Sequence, residues 1–394
     1  MGRCSVYRNI IKAKELLVLF NDPLKVKQIY EKAREFANND AYFHHQLGLY
    51  EMKRNNPNFD LSYKEFKLAE KLETWNKSIQ HSIAELELER AKKSTNAAET
   101  DRHLSNATRL ASGLKRNHGG SYGYHTLIKV SLERLDRHMR SESVNEDVIA
   151  ALSRDVDKTL AEGMQSYPDD EFLLSAESDF AKLFQNEVRA TLALEKANRT
   201  NPGGVYIARR LSKHYENGDD IGKARDVLEK SLERTPNSKE IRAALAMLLS
   251  NHFPQENDLA EYHWQRAFTE GDTNFLSQFW FARQLFMNDK KQDALNKFNS
   301  LKTAPVPSKT KFHIRGPILE PGTKSIQSFI GRIERVESGY MFISSSIDST
   351  WMFAHYSESD SKNWSKLNVH DEVTFKVGFN FKGPSAFGLK LKTT

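Results

Sequence analysis

"ARDVLEKSLERTP", residues 224–236, sets a ruler for most of the chain. Ala224, Leu228 and Ser231 stand at offsets of 4 and 7, which puts all three on one face of a helix. Pro236 follows five residues later and stops that helix. The same order of small, large apolar and small residues recurs. It reads Val156, Leu160, Gly163 before Pro168, and Ala190, Leu194, Ala197 before Pro202. It continues as Ala260, Trp264, Ala267 and as Ala294, Phe298, Leu301. First members are 34, 34, 36 and 34 residues apart.

About eighteen residues before several of these triplets lies a large-small pair on a second helix: Leu211-Ser212, Leu245-Ala246 and Phe281-Ala282. Each unit is therefore a pair of antiparallel helices. Neither helix buries its apolar stripe alone, so the pairs must stack. Upstream the pattern loosens. Val26, Tyr30, Ala33 and Ser62, Phe66, Ala69 fit the same face, with Leu47-Gly48 as the pair between them, and Thr100, Leu104, Ala107 form a weaker unit. "SGLKRNHGGSYGYH", residues 112–125, carries four glycines and reads as a loop or irregular joint before a long helix around "TLIKVSLERLDRHM".

A 34-residue helix-turn-helix with this spacing resembles the tetratricopeptide repeat. The resemblance implies a superhelix with a concave surface that holds a peptide or another domain. In that family the inner face is built from positions 2, 5, 9 and 12 of each first helix. Carried over, these are Tyr206, Arg209, Lys213 and Glu216 in one unit, and Phe279, Arg283 and Phe286 in the last. Tyr206, Arg209, Lys213 and Arg283 form the candidate protein-binding patch, suited to an acidic ligand or a C-terminal carboxylate. Phe279 and Phe286 have an alternative role in packing.

Helical periodicity stops at "TAPVPSKTKFHIRGPILEPGTKS", residues 303–325, with four prolines and two glycines. This is the expected domain joint, with "KFHIR" as a first extended segment. Its "GTKS" end is no phosphate loop: Gly316 and Gly322 are six apart and Thr323 intervenes before the lysine. From residue 326 the period changes to two. "SFIGRIERV", "GYMFISSS", "TWMFAHY", "DEVTFKVGF" and "SAFGLKLK" read as five short strands, enough for a small closed barrel. The expected organisation is 1–125 irregular helical repeats, 126–302 regular repeats, 303–325 linker and 326–394 barrel.

The order of residues in the tail resembles the cold-shock domain, an oligonucleotide/oligosaccharide-binding (OB) barrel. Gly339-Tyr340-Met341-Phe342-Ile343 and Phe353-Ala354-His355-Tyr356 look like its two RNA-binding motifs. Trp364, Leu367, Asp371, Val373 and Phe375 follow its rhythm, and Lys382-Gly383-Pro384-Ser385-Ala386 its turn. The resemblance implies that Tyr340, Phe342, Phe353, His355 and Tyr356 face outward and stack bases, with Lys382 beside them. Alternation alone puts Tyr340 and Phe342 on one face against Met341 and Ile343, and Phe353 and His355 against Met352 and Ala354. The chain departs from the family at "IERVES", where a basic residue and a tryptophan are replaced by an acidic segment. Residues 325–394 hold eight Lys/Arg against seven Asp/Glu, little for phosphate neutralisation. Two readings stay open: a stacking surface for single-stranded nucleic acid, or aromatics packed on the neighbouring helices or another chain.

The bulk properties agree with a folded interaction protein. The 394 residues are 39% hydrophobic and 28% charged, with a formal net charge of +6. Cys4 is the one cysteine, which excludes an internal disulfide and a cysteine-based zinc site and fits a reducing, cytoplasmic setting. No secretion signal or membrane-spanning run is read, and Val6 breaks the myristoylation motif at Met1-Gly2. No His-Glu-x-x-His, metal-spaced cluster or Gly-x-Ser-x-Gly elbow occurs. Asp169-Asp170 and Asp219-Asp220 sit before helices, where acids serve as caps. The expectation is no catalytic residue, no metal and no cofactor.

A repeat array ending in such a barrel also resembles the C-terminal sensor arms of prokaryotic STAND-type NTPases and related antiviral defence proteins. Effector and NTPase domains lie upstream in those, so the chain reads as a fragment or a stand-alone companion. The expected function is non-enzymatic recognition of a protein or peptide by the repeats, with the barrel as second surface. The alternative is a protein that binds RNA or single-stranded DNA through the barrel.

Overall fold

The computed structural model describes residues 10, 23–54, 56–117, 120–141, 144–320, 325–345, 348–356 and 364–392. Met1, Gly2, Cys4 and Val6, and Gly322 to Lys324 of the false phosphate loop, lie outside them. The chain divides into two compact units, Met1–Thr235 and Pro236–Thr394. The division falls inside the repeats, so the second unit joins the last helices to the barrel.

The first unit contains α1 (Pro23–Ala37), α2 (Ala41–Lys53), α3 (Phe59–Leu72), α4 (Lys77–Lys93), α5 (Ala97–Asn117) and α6 (Tyr122–Met139). It continues through α7 (Glu146–Ser166), α8 (Glu171–Leu183), α9 (Glu187–Thr200), α10 (Val205–Asn217) and α11 (Ile221–Arg234). Consecutive helices pair from α2 with α3 to α10 with α11, and α6 also packs on α4 and α8. This is the tetratricopeptide-like arrangement. The triplets are its glue: Ala190, Leu194 and Ala197 on α9, and Ala224, Leu228 and Ser231 on α11, are all buried. The loosely spaced triplets behave the same way, since Ser62, Phe66, Ala69 and Thr100, Leu104, Ala107 are buried too. Gly48 shows why the small position matters. A Cβ there would stand 2.5 Å from the Phe66 ring, which itself has no exposed surface.

Caps fix the helix starts. Asp170 accepts from the Phe172 and Leu173 amides at 3.0 and 2.9 Å, and Asp220 accepts from Lys223 N. The pair His44-His45 diverges as adjacent helical positions must. His44 Nδ1 lies 2.6 Å from Glu65 on α3, and His45 Nε2 lies 2.8 Å from Ser82 on α4.

The four-glycine segment is shorter as a joint than expected. α5 runs to Asn117 and α6 begins at Tyr122, so helix covers most of 112–125. Gly123 lies inside α6, where a Cβ would meet the Lys115 backbone at 2.5 Å. The glycine thus serves close helix approach, not a loop. His118 and Gly119 lie outside the described residues.

The second unit holds α12 (Lys239–His252), a 3₁₀ turn (Pro254–Glu256), α13 (Asn257–Gln265), α14 (Phe275–Met287), α15 (Lys291–Lys302) and the short α16 (Ser308–Phe312). The strands are β1 (Ser328–Val336), β2 (Tyr340–Ser345), β3 (Asp348–His355), β4 (Glu372–Asn380) and β5 (Gly383–Leu391). They close in the order β1-β2-β3-β5-β4, all antiparallel except β3 with β5. Ile333, Met341, Ile343, Met352, Ala354, Val373, Phe375 and Val377 fill the barrel.

The expected linker is partly structured. Lys311 and Phe312 end a helix instead of starting a strand, because Pro307 opens a single turn there. Beyond it, Arg315 exchanges backbone hydrogen bonds with Phe379 at 2.9 Å, and Ile318 N donates to Val377 O at 2.9 Å. The segment lies along β4.

Candidate functional site

Two surfaces carry the residues singled out by sequence. The first is the outer face of β2 and β3. Their register sets Tyr340 opposite His355 and Phe342 opposite Phe353. Met341, Ile343, Met352 and Ala354 point inward and are buried, so the alternation read from sequence holds. Tyr340, Phe342 and Phe353 are half-buried by one another, while His355 and Tyr356 are exposed. The Tyr340 and Phe353 rings stack with centroids 5.7 Å apart and planes at 28°, and Phe342 meets both edge-on at 5.7 and 5.9 Å. His355 joins at 6.3 Å from Phe353, and Tyr356 stands at 90° to Trp364.

This is an outward sheet of aromatic rings on an apolar floor. Its charge is modest. Arg335 pairs in register with Phe342, and its guanidinium donates to Glu337 at 2.7 Å. Lys382 is exposed on the turn into β5, with its ammonium 4.4 Å from the Phe312 ring centroid on α16. Its ammonium engages that helix.

The rings that meet helices are different ones. Phe379 and Phe381, from the end of β4 and the turn after it, pack on α14 and α15. Phe381 stacks on Phe279 at 5.3 Å, and Phe379 meets Phe286 at 5.3 Å and Phe298 at 6.1 Å. Phe279 and Phe286 thus pack against the barrel, as their alternative reading had it. Arg283, between them on α14, is buried there. Its Nε donates to Gly316 O at 2.8 Å and its Nη2 to Pro317 O at 3.3 Å, over the rings of Trp280 and Phe379. Burial pushes its pKa down to about 10. Arg283 is therefore corrected from surface ligand to interior clamp. Sequence offered no sign of the carbonyls, which lie 33 and 34 residues away.

The second surface runs along α10. Tyr206, Arg209 and Lys213 lie at offsets of 3 and 7 and are all exposed, Tyr206 at 58%. Arg209 makes no ion pair among the described residues, and Lys213 donates to Glu216 at 2.9 Å. Arg210, which sequence reasoning missed, holds the row in place. It donates to Tyr206 Oη at 3.0 Å and reaches across to Ser175 and Asp179 on α8. The visible signal was its position four residues after a tyrosine.

Elsewhere in the first unit, His81 Nδ1 lies 3.1 Å from Thr126 Oγ1, and His125 packs beside Phe172 at 5.6 Å. Burial drives the His125 pKa down to about 4, helped by the Lys129 charge. Among the described residues, no group of three or more His, Cys, Asp or Glu could hold a metal ion. No described helix is long and apolar enough to cross a membrane.

No family model matches the chain, and no curated protein matches it. Solved helical-repeat structures are similar to part of it. The tetratricopeptide-repeat protein TTC0263 of Thermus thermophilus is 17% identical, covering 53% of this chain and 99% of its own, with TM-score 0.41. PilF of Pseudomonas aeruginosa is 16% identical, covering 57% and 90%, with TM-score 0.38. MamA of Desulfovibrio magneticus, from residue 41 on, is 14% identical, covering 44% and 92%, with TM-score 0.32. At such values the likeness says nothing of a ligand or partner. What stands on geometry is a tetratricopeptide-like helical array followed by a closed five-stranded barrel.

Proposed function

We propose that the chain is a non-enzymatic interaction module whose helical repeats bind a protein or peptide, with the barrel as a second recognition surface. The observation that carries this is the exposed row Tyr206, Arg209 and Lys213, braced from behind by Arg210. An aromatic ring and two cations on one helix face suit an acidic segment or a terminal carboxylate. The test is fluorescence anisotropy with a library of acidic peptides bearing free or amidated C-termini. Binding that disappears in Arg209→Glu/Lys213→Glu supports the surface. Undiminished binding in that variant removes it.

A second reading has its own observation. The Tyr340, Phe342 and Phe353 cluster faces away from the barrel core, and the helices are met by Phe379 and Phe381 instead. Outward-facing rings of this kind stack bases of single-stranded RNA or DNA, each worth roughly 1–3 kcal/mol. Salt-sensitive binding of short oligonucleotides, lost in Phe342→Ala/Phe353→Ala, supports it. An oligonucleotide affinity equal in that double variant rejects it.

The order of repeats and barrel supports a place among the sensor arms of prokaryotic defence or signalling NTPases, in the cytoplasm. Co-purification with an NTPase from the native host tests that placement.

A further inference from the structure

His44 of α2 is buried, with 3% of its surface exposed, and both of its ring nitrogens are engaged. Nδ1 lies 2.6 Å from a carboxylate oxygen of Glu65 on α3. Nε2 lies 3.1 Å from the backbone carbonyl of Asn38, in the turn between α1 and α2. A carbonyl oxygen only accepts, so Nε2 must carry a proton. Arg34 of α1 donates to the other oxygen of Glu65. The guanidinium favours a carboxylate that accepts from both partners, so Nδ1 must carry a proton too. The ring is therefore held as an imidazolium.

The charged groups that face it are Glu65 from α3 and Arg34 from α1. Glu51, further along α2, acts on Glu65, and α4 meets the adjacent His45 through Ser82. Burial lowers the His44 pKa and the Arg34 charge adds to this, but the hydrogen bonds to Glu65 and Asn38, with the Glu65 charge, outweigh both and raise it. The same place joins α1 to its neighbours through apolar contacts: Val26, Tyr30 and Ala33 share a core with Phe43 and Tyr50 of α2.

We infer that His44 is a pH-operated latch, which ties the α1–α2 turn to α3 while both ring nitrogens are protonated and loosens α1 when one proton is lost. The proton that leaves is the one on Nε2, because a carboxylate holds the other. The bare nitrogen then faces the Asn38 carbonyl, acceptor against acceptor. The turn withdraws, and α1 uncovers Phe43 and Tyr50 more often. The direction follows from the ring's two bonds. The folded chain binds this proton more tightly than the unfolded one, so the latch is complete below about pH 6.5 and is lost as pH rises through the folded value. The Tyr30 and Tyr50 phenols, raised by burial, stay protonated across this range.

The test is hydrogen exchange of the full chain at about pH 6 and about pH 9, corrected for intrinsic exchange rates. Amides of α1 are expected to lose about tenfold in protection, while those of α10 and α11 keep theirs. His44→Gln, which has no titrating ring, is expected to show no such step. Nitrogen NMR of the His44 ring in the natural chain reads the protonation directly, whether or not the variant folds. Both ring nitrogens are expected to be protonated at about pH 6, with Nε2 the one that loses its proton as pH rises. A singly protonated ring at about pH 6, an α1 protection that stays flat across the range, or the same step in His44→Gln overturns the inference.

Discussion

Phe279 of α14 and Phe381 of the barrel lie face to face, their ring centroids 5.3 Å apart and their planes inclined by 15°. Phe298 and Phe379 repeat the arrangement at 6.1 Å and the same 15°. Two stacked pairs, each with one ring from the repeats and one from the barrel, join these parts into one core.

Phe279→Ala should therefore destabilise the whole second unit, by about 3–5 kcal/mol for a fully buried ring. Chemical denaturation read separately by helical and aromatic signals checks this. Helix loss ahead of an unaffected barrel transition would show that the stacked pairs do not couple the two.

On β2, neighbouring positions should differ sharply. Ile343 has no exposed surface, and its change to Ala is expected to cost about 2–5 kcal/mol. Tyr340→Ala, on the outer face, should cost clearly less. Equal losses in the two denaturation curves would mean that the outer rings are core residues.

Gly48→Val tests the large-small pairing in the first unit. The new side chain would collide with Phe66, and overpacking of this kind costs about 1–3 kcal/mol. A melting temperature no lower than that of the natural chain would contradict the packing.

Stability of the first unit should fall as pH is lowered from about 6.5, the ordinary histidine value, toward about 4, where His125 titrates in the fold. The sign follows from burial: the folded chain resists protonating His125, so the unfolded chain takes up more protons across that window. His81 is lowered by burial in the same direction. His44 works against them, since burial lowers its pKa but the hydrogen bonds to Glu65 and Asn38 together outweigh it and raise the pKa. His125→Gln should flatten the decline, as seen in denaturation midpoints across the range. An unchanged slope would remove His125 as its source.

The 34-residue ruler was legible because close helix approach demands small residues at fixed offsets. Ala190, Ala224, Ala260 and Ala294 all have no exposed surface. The barrel was legible through alternation, which sorts residues into two faces. It does not say what each face meets. Phe379 and Phe381 alternate just as Tyr340 and Phe342 do, yet the first two are buried against helices and the other two look outward. Arg283 was misread for a related reason. Its helical offset fitted a surface row, and only the returning chain at Gly316 encloses it.

Closure of the five strands has a consequence for partners. The ring closes at its narrowest ladder, where β3 meets β5 through Phe353 with Ser385 and Ala354 with Ala386 alone. The β1-β2 and β4-β5 ladders take up their backbone groups along most of each strand and offer little for a foreign chain to extend. A partner on the outer face of β2 and β3 is then read by side chains, and its sequence tolerance is set by ring stacking and shape.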